Sequence, residues 1–290
     1  MANTQSLAFR KQYEAAFRLL VQQEASKFSD KVWVYPMSSN KAYVNFVGSL
    51  NVVKRTGRNA PTVFQDAAHT KRRIIAETWD VPAILIDEPD QIRMIADPAS
   101  IYARAQRAAI RRKYDNLIMA AAIGNAYSAD EDDTETAVPL PATQKILETG
   151  TVGLTLQKIT QALEIFHTND VDPDVEKWLA LSPKGLTDLL NEPELTIAEQ
   201  NALRMVNEGK VERVRGFNMV LSNQLAIAGN IRSNVAWVQE GICLGVIYDI
   251  KARAEENMNY NYSTQVWASF DAQATRMQEK LVVEIQSYEA

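Results

Sequence analysis

The sequence predicts an α+β chain organised around one long helix and carrying extended arms. Three observations support this. Residues 97–127 show uninterrupted helical periodicity. Segments at 43–53, 73–79, 217–221, 266–270 and 281–285 alternate or run apolar in the manner of strands. Between 154 and 250, helical and strand-like segments alternate, the order of a regular α/β region.

Composition bounds the function. The 290 residues are 46% hydrophobic, enough for a sizeable core, and the length suggests about two domains. Net charge is −5, from 31 basic and 36 acidic residues, whereas tight non-specific nucleic-acid binding calls for a basic domain. One cysteine, Cys243, excludes an intrachain disulfide and points to a reducing compartment. The start, MANTQSLAFRKQYEAAF, lacks the apolar region of a signal peptide, and no apolar run approaches the roughly 18 residues of a membrane span. The expectation is a soluble, intracellularly made protein with no membrane partner.

Residues 1–30 read as an arm. Leu7, Tyr13, Phe17, Leu20 and Val21 form a partial stripe that a short helix cannot bury alone, so the arm is expected to dock on the body or on a neighbour. KVWVY (31–35) is a strand candidate. In 43–53, Val44, Phe46, Leu50 and Val52 alternate with Asn45, Ser49 and Asn51. Residues 54–73 are polar and basic, with Gly57 and Pro61 as turn formers, and 73–79 is a second strand. Together they describe an extended hairpin with a charged tip. A hairpin alone is marginal in water and must lie on something.

Asp97 and Pro98 supply an N-cap and a first helical residue. Ile110, Tyr114, Leu117, Ile118 and Ala121 then mark one face of a helix over 98–127, about 45 Å long. Arg104, Arg107 and Arg111 mark another face, with Arg112 and Lys113 beside it. Residues 128–144 are acidic, Pro-containing and aperiodic, and read as a mobile surface loop. Helices follow at 154–168 and after Ser182-Pro183, with a buried strand at 178–181 between them. A capping box at Thr196 and Glu199 precedes a further helical pattern. Strands are expected around Phe217–Leu221 and at Val235 and Trp237, while 241–250 fits either strand or short helix. The C-terminal strands, including 281–285, are expected to return to the long helix.

No catalytic constellation is legible. His69 lies in the basic segment and His167 ends a helix, and both read as surface histidines. Two distant histidines and one cysteine do not make a zinc site. Asp130-Glu131-Asp132-Asp133 lacks the glycine and spacing of a calcium loop and reads as solvated. No phosphate loop, GxSxG elbow or HExxH is present, and Cys243 reads as a core thiol. No catalytic, cofactor-binding or metal-binding residue is assigned. The basic groups instead suggest docking. Lys54, Arg55, Arg58, Lys71, Arg72 and Arg73 in the hairpin, and Arg104, Arg107 and Arg111 on the helix, are candidate contacts to acidic groups of an adjacent element or subunit.

The order of parts resembles the major capsid proteins of tailed bacteriophages with the HK97-type fold. The wording is nearer to those of short-tailed phages, marine ones included. The resemblance is carried by VVKRTGRNAPT (52–62), DEPDQIRMIADPASIYARAQRAAIRRKYDNLIMAAAIGNAY (87–127), LTLQKITQALEIFHTNDVD (154–172), GKVERVRGFNMVLSN (209–223) and ATRMQEKLVVEI (274–285). It covers nearly the whole chain in the right order, and collinearity supplies the specificity. It implies an N-arm at 1–30, an E-loop hairpin at 31–79 and a P-domain at 80–149 with spine helix 98–127. It further implies an A-domain at 150–250 and C-terminal strands at 251–290 returning to the P-domain.

The function implied is a non-enzymatic shell subunit, assembled in the host cytoplasm. Its pentamers and hexamers would form the icosahedral virion head around double-stranded DNA, bound without sequence specificity. Implied partners are further copies of the chain, a separate scaffolding protein, a portal protein and a decoration protein. Some relatives crosslink an E-loop Lys to an Asn, and no such pair is assigned here. Two other readings are carried forward: an encapsulin-like cellular compartment, and a cytosolic hydrolase whose pocket would gather Asp170, Asp172 or Asp188.

Overall fold

A computed structural model describes residues 22–48, 50–55, 57–58, 62, 64–67, 69–86, 98–129, 134–148, 150–192 and 213–289. The described residues divide into two units. One draws on Met1–Ser26, Thr78–Lys113 and Tyr248–Asp271, the other on Lys27–Glu77, Tyr114–Ile247 and Ala272–Ala290. In chain order the strands are β1 (Trp33–Pro36), β2 (Lys41–Val47), β3 (His69–Ile75), β4 (Glu77–Ile86), β5 (Ala126–Ala129), β6 (Glu135–Val138), β7 (Lys145–Ile146), β8 (Lys177–Leu181), β9 (Arg213–Val214), β10 (Phe217–Leu221), β11 (Ile227–Ala228), β12 (Ile231–Val238), β13 (Ile242–Asn257), β14 (Ser263–Arg276) and β15 (Val282–Tyr288). The α-helices are α1 (Pro98–Ile123), α2 (Leu156–Thr168) and α3 (Pro183–Leu190).

The long helix forms as its periodicity dictates. Of the expected face, Ile110, Tyr114, Leu117 and Ile118 are buried and Ala121 is half-buried, while Asn116 and Ala120 face outward. α1 stops four residues short of the expected end. The Gly124 N–H donates to the Ala120 carbonyl at 2.8 Å, and β5 then begins at Ala126. Asp97, the expected cap, lies outside the described residues, as do Thr196 and Glu199.

In the first unit the distal part of β13, β14 and β4 lie side by side in that order, and Gln106 of α1 donates to the Val266 carbonyl of β14 at 3.0 Å. In the second unit the end of β14 meets the end of α1 through Arg276, whose Nη1 donates to the carbonyls of Ala122 (3.0 Å) and Gly124 (2.6 Å). The expected pairing of C-terminal strands with the long helix therefore holds for β14. It does not hold for 281–285. That segment starts β15, which pairs antiparallel with β12 and parallel with β7. Periodicity sets which face of a strand is buried; the identity of its partner depends on side chains distant in sequence.

The second unit holds a mixed sheet in the order β7-β15-β12-β8-β10-β9, with β11 on β12. Residues 241–250, open between strand and helix in the sequence, are strand. Leu156, Ile159, Ala162 and Phe166 of α2 bury against Leu179, Leu181, Phe217, Ala236 and Ile285 of the sheet. Ser182 caps α3 by accepting the Gly185 N–H at 2.9 Å, with Pro183 in the first turn. A further sheet runs β2-β3-β5-β6. It corrects the reading of 128–144 as an aperiodic mobile loop, because β5 and β6 pair with each other and β5 pairs with β3; residues 130–133 lie outside the described residues. Four-residue strands such as AYSA and ETAV are too short to show periodicity, and their stability comes from a distant partner.

Candidate assembly surfaces

The start of the described chain is fixed to its own body. Buried Asp115 on α1 accepts the N–H of Lys27 at 3.1 Å and of Phe28 at 3.3 Å. Trp237 Nε1 donates to the Lys31 carbonyl at 3.0 Å, and its ring meets Phe28 edge-on at 5.6 Å. The last residues of the expected N-arm thus dock on the chain itself.

The hairpin is divided along its length. Near its base, Ala42, Val44 and Phe46 of β2, with Ile74 of β3, pack on Met37, Cys243 and Met277. The opposite face carries Lys41 and Tyr43, with Arg73 directly across from Tyr43. Arg73 pairs with Glu135 and lies 4.2 Å from the centroid of the Tyr127 ring, and Lys41 reaches the same Glu135 at 2.6 Å. On the inner face Arg72 donates to the Met277 carbonyl at 3.0 Å and pairs with Glu279. The sequence placed Lys71, Arg72 and Arg73 on the tip; they belong to β3, and Arg72 and Arg73 are held by groups of their own chain. His69 also sits on β3, as its first residue.

Beyond Val47 the chain leaves the sheet. Val52 and Phe64 are 101% and 91% exposed, and Val47, Leu50 and Val53 are more than half exposed. Lys54, Arg55 and Arg58 are exposed among them. A fully buried side chain of this kind stabilises by about 1.5–3 kcal/mol. Several left in water close together in the sequence make a candidate interaction surface. A second such surface lies between β13 and β14, where Met258, Tyr260 and Tyr262 are exposed at a turn with Asn261 and Tyr262 in left-handed conformation. The sequence reading missed this turn, although the run Met-Asn-Tyr-Asn-Tyr, with two Asn residues, has turn composition.

The arginine face of α1 is partly engaged. Arg104 meets Glu24 at 3.3 Å, Arg111 meets Asp249 at 3.2 Å, and Arg112 donates to Gln22 and the Gln23 carbonyl. Arg107 is exposed and has no ion pair among the described residues.

Chemistry-bearing groups do not converge. Among the described residues no three His, Cys, Asp or Glu side chains stand together as a metal site. Burial pushes the Cys243 thiol up to about 12, far from a reactive thiolate. Asp170 and Asp172 are exposed, and Asp188 pairs with Lys184 at 3.1 Å, so the acidic pocket required by a hydrolase is not assembled from them. His167 is exposed in the last turn of α2.

Comparison with known proteins resolves what such a molecule is. Residues 6–289 match the family model described as phage capsid protein. The chain belongs to the phage capsid protein family. No curated protein matches the sequence. Among solved structures, the capsid of cyanophage P-SCSP1u is similar with a TM-score of 0.73 at 18% identity, covering 95% of this chain and 91% of that one. The capsid of Ralstonia phage GP4 gives 0.76 at 9% identity over 100% and 98%. The head structure of Helicobacter pylori bacteriophage KHP40 gives 0.69 at 9% over 100% and 98%. The fold is therefore that of tailed-phage capsid proteins, the HK97 type. A capsid protein resides in the virion head and associates with copies of itself, which supplies a reason for apolar side chains held out in water.

Proposed function

We propose that this capsid protein is the major shell subunit, closing as pentamers and hexamers into an icosahedral head around double-stranded DNA. The observation that carries the reading is the family match over residues 6–289, read together with the exposed apolar tip of the hairpin. On this reading residues 1–30 serve as N-arm and 31–79 as E-loop, 80–149 form the P-domain around the spine helix, to which β14 returns, and 150–250 form the A-domain, whose sheet β15 joins. Lys54, Arg55, Arg58 and Arg107 are exposed and available to neighbouring subunits. A separate scaffolding protein and a portal protein are its partners in assembly on this reading. The net charge of −5 suits a container past which packaged DNA must slide. Negative-stain electron microscopy of the expressed chain, with its scaffold where required, tests the proposal. Hollow shells or rings of five and six subunits are expected; a monodisperse monomer under all assembly conditions would overturn it.

A further inference from the structure

The end of β15 fastens three segments that are far apart in the sequence. The Tyr288 N–H donates to the Val152 carbonyl at 3.0 Å, ahead of α2. The Glu289 N–H donates to the Asn230 carbonyl at 2.7 Å, between β11 and β12. The Glu289 carboxylate reaches the third segment, the junction of β8 and α3, where it accepts the Ser182 hydroxyl proton. It also accepts Arg232 Nε–H of β12 at 3.0 Å, and Arg232 Nη1 donates onward to the Leu225 carbonyl at 2.9 Å, between β10 and β11. Ser182 is fully buried, and the Arg232 and Glu289 side chains are only 16% and 8% exposed. Breaking so enclosed a pair on one side strands the other charge, so this contact is either made or lost as a unit.

The Ser182 hydroxyl has two duties. Its oxygen accepts the Gly185 N–H at 2.9 Å, the cap of α3, while its own proton goes to Glu289. A hydroxyl has one proton and two lone pairs, so both bonds can stand together. Donation to a carboxylate polarises the oxygen and strengthens it as the cap acceptor. One carboxylate therefore links the first turn of α3 to the connection 222–230, through Ser182 on one side and through Arg232 and Leu225 on the other. We propose that Glu289 is a clasp with a closed and an open state, and that opening it loosens both places together while the sheet stays formed. The sheet has its own support. Residues 282–288 pair with β12 along their length, and Val283 and Ile285 bury against the helices. The connection has little support besides the clasp. Its only strand, β11, is two residues long, and Ile227 is half exposed. Segments with few buried apolar contacts are the ones that open first.

Residue-resolved amide hydrogen exchange on the full chain tests the clasp, and it needs no assembled shell. Two amides report on its two sides: Gly185, which donates to Ser182 Oγ, and Ser233, which donates to the Ala226 carbonyl at 3.0 Å. Glu289→Gln should speed exchange at both by about ten-fold and leave the amides of 282–285 at the parent's rate. Ser182→Ala removes the cap and so exposes Gly185 directly. The clasp further requires that it speed Ser233, although among the described residues the Ser182 hydroxyl bonds only Gly185 and Glu289. Coupling of this kind is reciprocal, so the double variant should exchange at Ser233 no faster than the faster single variant. Ser233 left at the parent's rate in Ser182→Ala would overturn the proposal. So would additive effects in the double variant, or equal acceleration across 282–285, which would mean a general loss of stability. If Glu289→Gln does not fold, the sheet depends on the clasp and the proposal fails.

Discussion

Arg276 is buried with its charge intact and spends it on carbonyls. Nη1 serves Ala122 and Gly124 at the end of α1, and Nη2 serves Val138 at 2.8 Å on β6. Burial lowers the guanidinium's pKa, and Glu279 opposes that shift. A cation at a helix C-terminus also meets the negative end of the helix dipole. Arg276→Met preserves much of the volume but strands these carbonyls, so unfolding in denaturant should show a loss of about 3 kcal/mol. Glu148 makes a second buried tie. It pairs with Lys158 and accepts the N–H of Gly150 at 2.9 Å and of Val152 at 3.3 Å, while Lys158 also reaches the Gln286 carbonyl at 3.0 Å. Burial alone would raise the Glu148 carboxyl; the Lys158 ammonium and the two N–H groups outweigh it and hold it below the usual carboxylate range. A carboxyl lowered on folding contributes stability above its unfolded pKa, about 4.3, and loses it as pH falls through the folded value. Glu148→Gln should therefore melt below the parent at pH 7, with the gap closing in increasingly acid buffer. A gap that widens in acid would contradict this assignment.

At the scale of elements, β1, β13 and the base of the hairpin fit closely. A Cβ added at Gly245 would stand 2.5 Å from the Met37 sulfur and 2.7 Å from Ile74 Cγ2. Methionine can move aside, but a β-branched side chain on β3 cannot turn without disturbing its strand. Gly245→Ala should cost about 1–3 kcal/mol and lower the melting temperature of the isolated subunit. The same packing explains why the hairpin does not rely wholly on neighbours. Its base buries Ile74 and packs half-buried Phe46 in its own chain, while the described apolar residues beyond it, from Val47 on, are exposed. That division was hidden in the sequence, where Phe46 and Val52 belong to one alternating run. Alternation assigns faces and says nothing of where the underlying body ends.

For the molecule as a whole, stability and assembly should separate. Val52→Ser with Phe64→Ser alters side chains that touch almost nothing in the single chain, so thermal unfolding of the subunit should shift by no more than about 0.5 kcal/mol. Particle yield should fall sharply, as sedimentation can show. Equal damage to folding and assembly would mean that the tip packs within its own chain. The sequence by itself determined the long helix, the α2–β8–α3 succession and the collinear order of parts, because periodicity and capping are local in cause. It also identified Lys54, Arg55 and Arg58 as exposed charge on a protrusion. Only the tertiary structure decided that Arg72 and Arg73 are held within the chain, that 281–285 joins β12 and β7, and that an exposed turn carrying Met258, Tyr260 and Tyr262 ends the β13–β14 hairpin. Those outcomes depend on which distant groups come within hydrogen-bonding or packing reach, and residue spacing along a chain carries no record of that distance.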